Sequence, residues 1–234
     1  MPDPVVAIRL MLSWPTGPRL QDLMRWNAAK RVDPAARHGY IRVMASSAPT
    51  ASPAAAPSIP DGDAEVLPIL IAPNPILKAR ARAVTPADAD TVRALIPRMF
   101  TTMYRAPGIG LAAPQVGVRL RLTVVDLMPD DARAPIVLVN PEVIAASTEL
   151  ATREEGCLSL PNQYADVTRP ARVKVRYYDQ TGARREIEAD GLLAVCLQHE
   201  IDHLDGVLFV DHISALKRNM LMRKLAKEMR LKDA

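Results

Sequence analysis

No run of about 18 apolar residues occurs in this chain, which argues against a membrane-spanning helix. Cysteine is nearly absent. The two thiols, Cys157 and Cys196, lie far apart in 234 residues, which excludes a disulfide-stapled scaffold and suits a reducing compartment. There Cys157 is free to act as a thiolate ligand. Excess charge is missing from most of the sequence as well. Residues 61–234 carry 23 Lys/Arg and 23 Asp/Glu, so the net charge of +4 comes entirely from residues 1–60, with seven basic and three acidic side chains. That balance implies no general nucleic-acid-binding surface and no specific DNA recognition. What remains is the composition of an ordinary globular protein, long enough for one substantial domain and an extension.

Residues 1–60 differ from the rest. They hold nine of the 21 prolines, and the stretch 45–60 is almost entirely Ala, Ser and Pro. Such a stretch buries too little apolar surface to offset its ordering entropy, so it reads as a disordered linker. Upstream, Arg and Lys side chains from Arg9 to Arg42 are scattered among apolar residues. An organelle-targeting leader would look similar. Asp3, Asp22 and Asp33, the prolines and the lack of a cleavage signal favour instead a dispensable extension, with a natural start near Met44 as one form of it.

From 61 to 210 the pattern predicts a compact α+β domain. Thr85-Pro86-Ala87-Asp88 has the order of a helix entry: N-cap, proline, first-turn acid. Val92, Leu95, Ile96, Met99, Phe100 and Met103 follow at helical spacing and predict a helix over 86–104, ended by Pro107-Gly108. Aliphatic and β-branched runs predict strands over 121–127 and 136–139. Strands over 172–179 and 183–188 flank a turn at Asp179-Gln180-Thr181-Gly182. Asp190 is placed to cap a second helix from about Gly191 to Leu204, stopped by Asp205-Gly206. That helix is the most apolar of the chain until it reaches His199.

There the sequence reads Gln198-His199-Glu200-Ile201-Asp202-His203. On a helix, positions i and i+4 share a face, so His199 and His203 can present imidazoles to one ion. Glu200 sits where its carboxylate can reach a water at that ion without being a ligand. With four histidines in the chain, such a pattern arises by chance on the order of a few times in a thousand chains. Two further segments draw attention once a metal is suspected: Gly108-Ile109-Gly110-Leu111-Ala112-Ala113-Pro114-Gln115, and Glu154-Glu155-Gly156-Cys157-Leu158-Ser159-Leu160-Pro161. Small residues in the first, and Gly156 in the second, allow a ligand close to the backbone.

Together and in this order, the three segments resemble the peptide deformylases. The resemblance covers residues 67–230, takes in Val139-Asn140-Pro141, and leaves residues 1–60 outside. It implies antiparallel β-sheets packed around a central helix that carries H-E-x-x-H, with a basic C-terminal helix over 211–234 packed on the domain. It also implies Cys157, His199 and His203 as ligands of one divalent metal, with water in the fourth position. The family favours Fe(II), with Zn, Ni or Co as alternatives; the ligand set alone would suggest zinc. An Fe(II)–thiolate centre would be vulnerable to oxygen.

The implied reaction is removal of the N-formyl group from the starting methionine of newly made polypeptides, with release of formate. In it the activated water attacks the formyl carbon, and Glu200 carries the proton from that water to the departing amine. The side-chain amide of Gln115 and the backbone N–H of Leu158 support the oxyanion together with the metal. Ile109, Leu192 and Val195 match family positions around the methionine pocket, with Cys196 and His199 at its border and Gly110 leaving room for the peptide backbone. Tyr164 stands where many bacterial members carry Arg, which bears on contacts beyond the first substrate residue. Arg169 occupies a family position that pairs with Asp202.

The segment from His212 to Ala234 carries seven Lys/Arg against two acids, and family members dock such a helix on the ribosome near the nascent-chain exit. From charge alone a solvated helix face is the favoured explanation, and the resemblance brings the two level. Two rivals remain at this stage. An H-E-x-x-H metallopeptidase would generally take a third His or Glu ligand in place of Cys157. A non-catalytic ribosome-associated relative would have lost Glu200, Gln115 or a ligand. A monomer in a bacterial cytoplasm is expected, with an organelle that runs its own translation as the alternative.

Overall fold

Thr85 does not cap the first helix in the way its sequence suggests. In the computed structural model, which describes residues 64–128 and 132–232, Pro86–Asp88 form a 3-10 turn and helix α1 spans Ala89–Arg105. The Thr85 backbone N–H and hydroxyl both donate to Asp88 Oδ2 at 2.8 Å, so Asp88 reaches back to close the turn. Arg82 forks onto the same carboxylate at 2.6 and 2.8 Å. The apolar stripe from Val92 to Met103 is buried as its spacing requires. The expected linker and the leader-like segment before it lie outside the described residues.

Among the described residues seven strands follow: β1 Gly110–Ala112, β2 Leu122–Val125, β3 Ile136–Ala146, β4 Leu150–Cys157, β5 Leu160–Pro170, β6 Arg172–Tyr178 and β7 Arg184–Asp190. Five of them form one antiparallel sheet in the order β1-β2-β3-β6-β7, and β4-β5 form a separate hairpin. The run of aliphatic residues that predicts this strand ends at Val139. The strand instead continues through a register shift between Val139 and Glu142. Asn140 takes a positive φ of 50°, and its side-chain amide accepts from Val84 N–H and donates to Val84 C=O. At the β6–β7 turn Gly182 has φ 78°, as such a hairpin turn requires. Strand β7 runs on to Asp190, whose side chain makes no cap hydrogen bond; the expected cap is instead the last strand residue.

Helix α2, Gly191–Asp205, crosses the five-stranded sheet. Ala194, Leu197 and Ile201 pack against Val125, Leu138, Val173 and Val175. A fully buried Leu such as Leu197 stabilises the fold by about 1.5–3 kcal/mol, so the first half of α2 is held firmly. The helix ends at Gly206 with φ 76°, where a Cβ would lie 2.6 Å from the Lys78 carbonyl oxygen. That contact exists because residues 70–82 form a strap over the end of α2. Leu70 N–H donates to Gln115 C=O, Ala72 N–H to Ser159 C=O and Ala81 N–H to Leu204 C=O, at 2.8, 3.0 and 2.8 Å. Helix α3, Ala215–Lys232, packs through Leu221, Met222, Leu225 and Met229 on Phe209, Leu160 and Ala72. No helix among the described residues is long and apolar enough to cross a membrane.

Three carboxylates tie this frame to pH. Hydrogen bonds from Arg82 and Thr85 hold Asp88 well below the usual range. Burial pushes Asp179 and Asp211 upward, but hydrogen bonds from Thr181 and Arg185 to the first, and from Lys78 to the second, outweigh it and both lie low. Depressed folded values stabilise the fold fully above the unfolded value of about 4, and that stability is lost as pH falls through the folded values. These three carboxylates therefore add no pH dependence to the melting temperature above about pH 5 and lower it below about pH 4. Asp88→Asn should lower it at neutral pH and flatten the acid slope; an unchanged slope would remove Asp88 from this account.

Candidate metal centre and active site

The hairpin β4–β5 and helix α2 meet so that Cys157, His199 and His203 each offer a donor atom, all within 4.8 Å of one another. His203 Nε2 lies 3.2 Å from Cys157 Sγ. Burial and the neighbouring His199 lower the His203 pKa well below its usual value, so the ring is held in the neutral form that a ligand needs. His199 Nδ1 lies 2.9 Å from Glu155 Oε2, and a carboxylate only accepts, so Nδ1 carries the hydrogen and Nε2 is left to ligate. The two imidazoles meet edge-on at 5.0 Å, and His199 stacks on Phe209 at 6.3 Å. One soft thiolate and two imidazoles, with the outer nitrogen of one fixed by a carboxylate, suit a divalent transition metal.

Glu200 follows His199 on α2 and is buried, and burial pushes its pKa up to about 7. Thr123, on β2, approaches Glu200 Oε2 with its hydroxyl at 3.5 Å while donating to Leu111 C=O at 3.0 Å. Strand β1 passes beside it. A Cβ on Gly110 would press on Glu200 Oε1, 2.8 Å from Cδ and 3.0 Å from Cys196 Sγ. The clearance at Gly110 therefore accommodates Glu200. Gly110→Ala is expected to shift that carboxylate and cut activity about 100-fold at near-constant metal content. Full activity in this variant would show that Glu200 moves aside freely.

Gln115 is fully buried in a 3-10 turn, Ala113–Val116. Its Oε1 accepts from Ala112 N–H at 2.8 Å, which turns Nε2 toward Cys157 Sγ at 3.6 Å and Ser159 Oγ at 3.3 Å. Leu158 lies in the turn between β4 and β5, directly after Cys157. Ile109 and Cys196 belong to the core beneath α2, with the Cys196 thiol donating to Ile109 C=O at 3.7 Å. Val195 is buried on α2 and Leu192 is half exposed one turn before it. Tyr164 is 59% exposed, and its ring lies against Gly156, where a Cβ would come within 2.6 Å of Cε1. The space beside Gly156 is thus filled by this chain's own tyrosine, not kept for a ligand.

A sequence profile of polypeptide deformylases matches residues 66–219. The chain belongs to the polypeptide deformylase family. It is 49% identical over 168 residues to a peptide deformylase of Agrobacterium fabrum, covering 71% of this chain and 98% of that protein. It is 55% identical over 168 residues to one of Methylocella silvestris, covering 70% and 85%. A crystal structure of a peptide deformylase from Legionella pneumophila superposes with a TM-score of 0.68 at 47% identity, covering 72% of this chain and 98% of that one. Another, from Synechococcus elongatus in complex with actinonin, has a TM-score of 0.64 at 45% identity, covering 68% and 86%. Like its family, this deformylase is a metal-dependent hydrolase that removes the N-formyl group from the initiator methionine of newly synthesised polypeptides and releases formate.

Around the centre of this deformylase stand two residues that motif reading passed over. Glu155 is buried on β4, two positions before Cys157 and so on the same strand face. Arg169 grips it from β5, Nε to Oε1 at 2.6 Å and Nη2 to Oε2 at 3.0 Å, and donates Nη1 to Asp202 at 2.7 Å. The expected Arg169–Asp202 pair is thus present, but Glu155 is the larger partner. Burial resists ionisation of Glu155, yet hydrogen bonds from His199 and Arg169 hold it at about 2. Thr123 is the second; its contact with Glu200 depends on the β1–β2 register and left no sequence signal.

Proposed function

We propose that Cys157, His199 and His203 hold one Fe(II) ion per chain, with Zn, Ni or Co as substitutes. When bound, such an ion supplies Lewis acidity, making water a nucleophile near neutral pH and polarising a carbonyl. Glu200 takes the proton of the attacking water and later delivers it to the departing amine. Gln115 Nε2 and the Leu158 N–H donate to the formyl oxygen as negative charge develops there. Ile109, Leu192, Val195 and Cys196 line the pocket for the methionine side chain, Gly110 lets the peptide backbone lie close, and Tyr164 meets the residues that follow.

The observation that carries this reading is the approach of three donor atoms to within 4.8 Å beside a buried carboxylate raised to about 7. Residues 61–210 are the catalytic domain in this proposal, and residues 1–60 are a dispensable extension. Arg223, Lys224, Lys227 and Arg230 on the outer side of α3 give a basic face that suits ribosomal RNA near the nascent-chain exit. The protein works as a monomer in a bacterial cytoplasm. The test is formate release from formyl-Met-Ala-Ser by protein purified without oxygen and assayed for metal. Rapid release that dies in air, at one iron per chain, establishes the iron enzyme. Release that survives air points to another metal, and silence of the fully metallated protein removes the assigned substrate.

A further inference from the structure

Asp202 lies between the two ligand histidines on α2, and its Oδ2 accepts two hydrogen bonds. One comes from Arg169 Nη1 at 2.7 Å and the other from His212 Nε2 at 2.7 Å. Because an ionised carboxylate only accepts, His212 Nε2 carries the hydrogen. His212 follows the 3-10 turn Phe209–Asp211, and its side chain is 34% exposed. From it the hydrogen bonds run without a gap through Asp202, Arg169 and Glu155 to His199 Nδ1.

The charges along this chain are uneven. Two carboxylates, Glu155 and Asp202, share the single guanidinium of Arg169, whose three donor nitrogens are divided between them. If Arg169 were drawn wholly toward Asp202, Glu155 would lose its fork and His199 its fixed partner. His212 supplies Asp202 with a second donor from the other side, which lets Arg169 stay seated on Glu155.

We infer that His212 is a positioning residue for the metal centre, acting through Asp202, Arg169 and Glu155 to keep His199 in its ligating orientation. The inference rests on the proposed Cys157–His199–His203 metal site. Outer partners of ligating histidines alter metal affinity by about 10- to 100-fold. His212 stands three side chains away from the ring, which places its effect at the lower end of that range.

The test uses the full chain loaded with Co(II), with release to a chelator followed by visible absorption, alongside melting temperature. His212→Phe, which keeps an aromatic ring and removes the donor, is expected to release Co(II) about tenfold faster. His212→Gln, which restores an N–H donor, should return the rate to within about threefold of the parent. An unchanged release rate in His212→Phe with a lower melting temperature would make His212 a local tie only and overturn the inference. Failure of His212→Gln to rescue a fast-releasing His212→Phe would overturn it too. His203→Ala separates the two readings: it should take up no Co(II). If it still binds one ion, the metal assignment itself falls.

Discussion

Glu200→Ala is expected to lower formate release by ~10³-fold while leaving one metal ion bound per chain. Glu200 is next to His199, a proposed ligand, but offers no atom to the Cys157–His199–His203 group, so its loss is expected to remove proton transfer and not metal binding. Burial brings it to about 7, where a carboxyl accepts and returns a proton with little penalty in either direction. Cys157→Ala, by contrast, should lose both metal and activity. Parallel metal analysis and formate assays on the two variants decide the matter. A Glu200→Ala enzyme of near-parental activity would sink the assigned role.

Arg169→Met should cost about 3–5 kcal/mol of stability, because it leaves two carboxylates facing each other without their shared cation. Arg169 and Glu155 are 5% and 3% exposed, so water can replace little of what is lost. For a domain of this size that corresponds to a fall in melting temperature of roughly 10 °C. Thermal unfolding checks it. Adding Glu155→Gln and Asp202→Asn to the same chain should recover part of the loss, since the penalty comes from uncompensated charge more than from lost packing. A triple variant as unstable as the single one would show that the guanidinium's packing matters more than its charge.

Helix α1, the β6–β7 hairpin and helix α2 were legible in the sequence because their apolar periodicity and turn residues agree with their tertiary surroundings. Hairpin β4–β5 was not. On β4, Arg153 and Glu154 face solvent, and Glu155 is the one fully buried residue, so no alternation announces a strand. Its pairing with β5 is a property of the partner strand. The full length of β3 was hidden for a related reason: its aliphatic run stops at Val139, and what carries the chain onward includes the bonds of Asn140 to Val84, 56 positions earlier. The grouping of Cys157, His199 and His203 was visible because family motifs carry it. Of the chain from Glu155 to His212, the Arg169–Asp202 link was legible through the family position of Arg169; the rest was not, because its members come from four elements that only the folded structure joins.

The strap at 70–82 has a consequence for the timing of synthesis. Its Lys78 side chain pairs with Asp211, 133 positions later, and its Ala81 closes on the last turn of α2. A chain emerging from the amino end therefore holds the end of this segment in waiting until Leu204 and Asp211 have been made. His199 and His203 arrive in the same stretch as those two partners. An enzyme that acts on nascent chains is thus, as a nascent chain itself, without this closure until helix α2 and the turn after it have emerged.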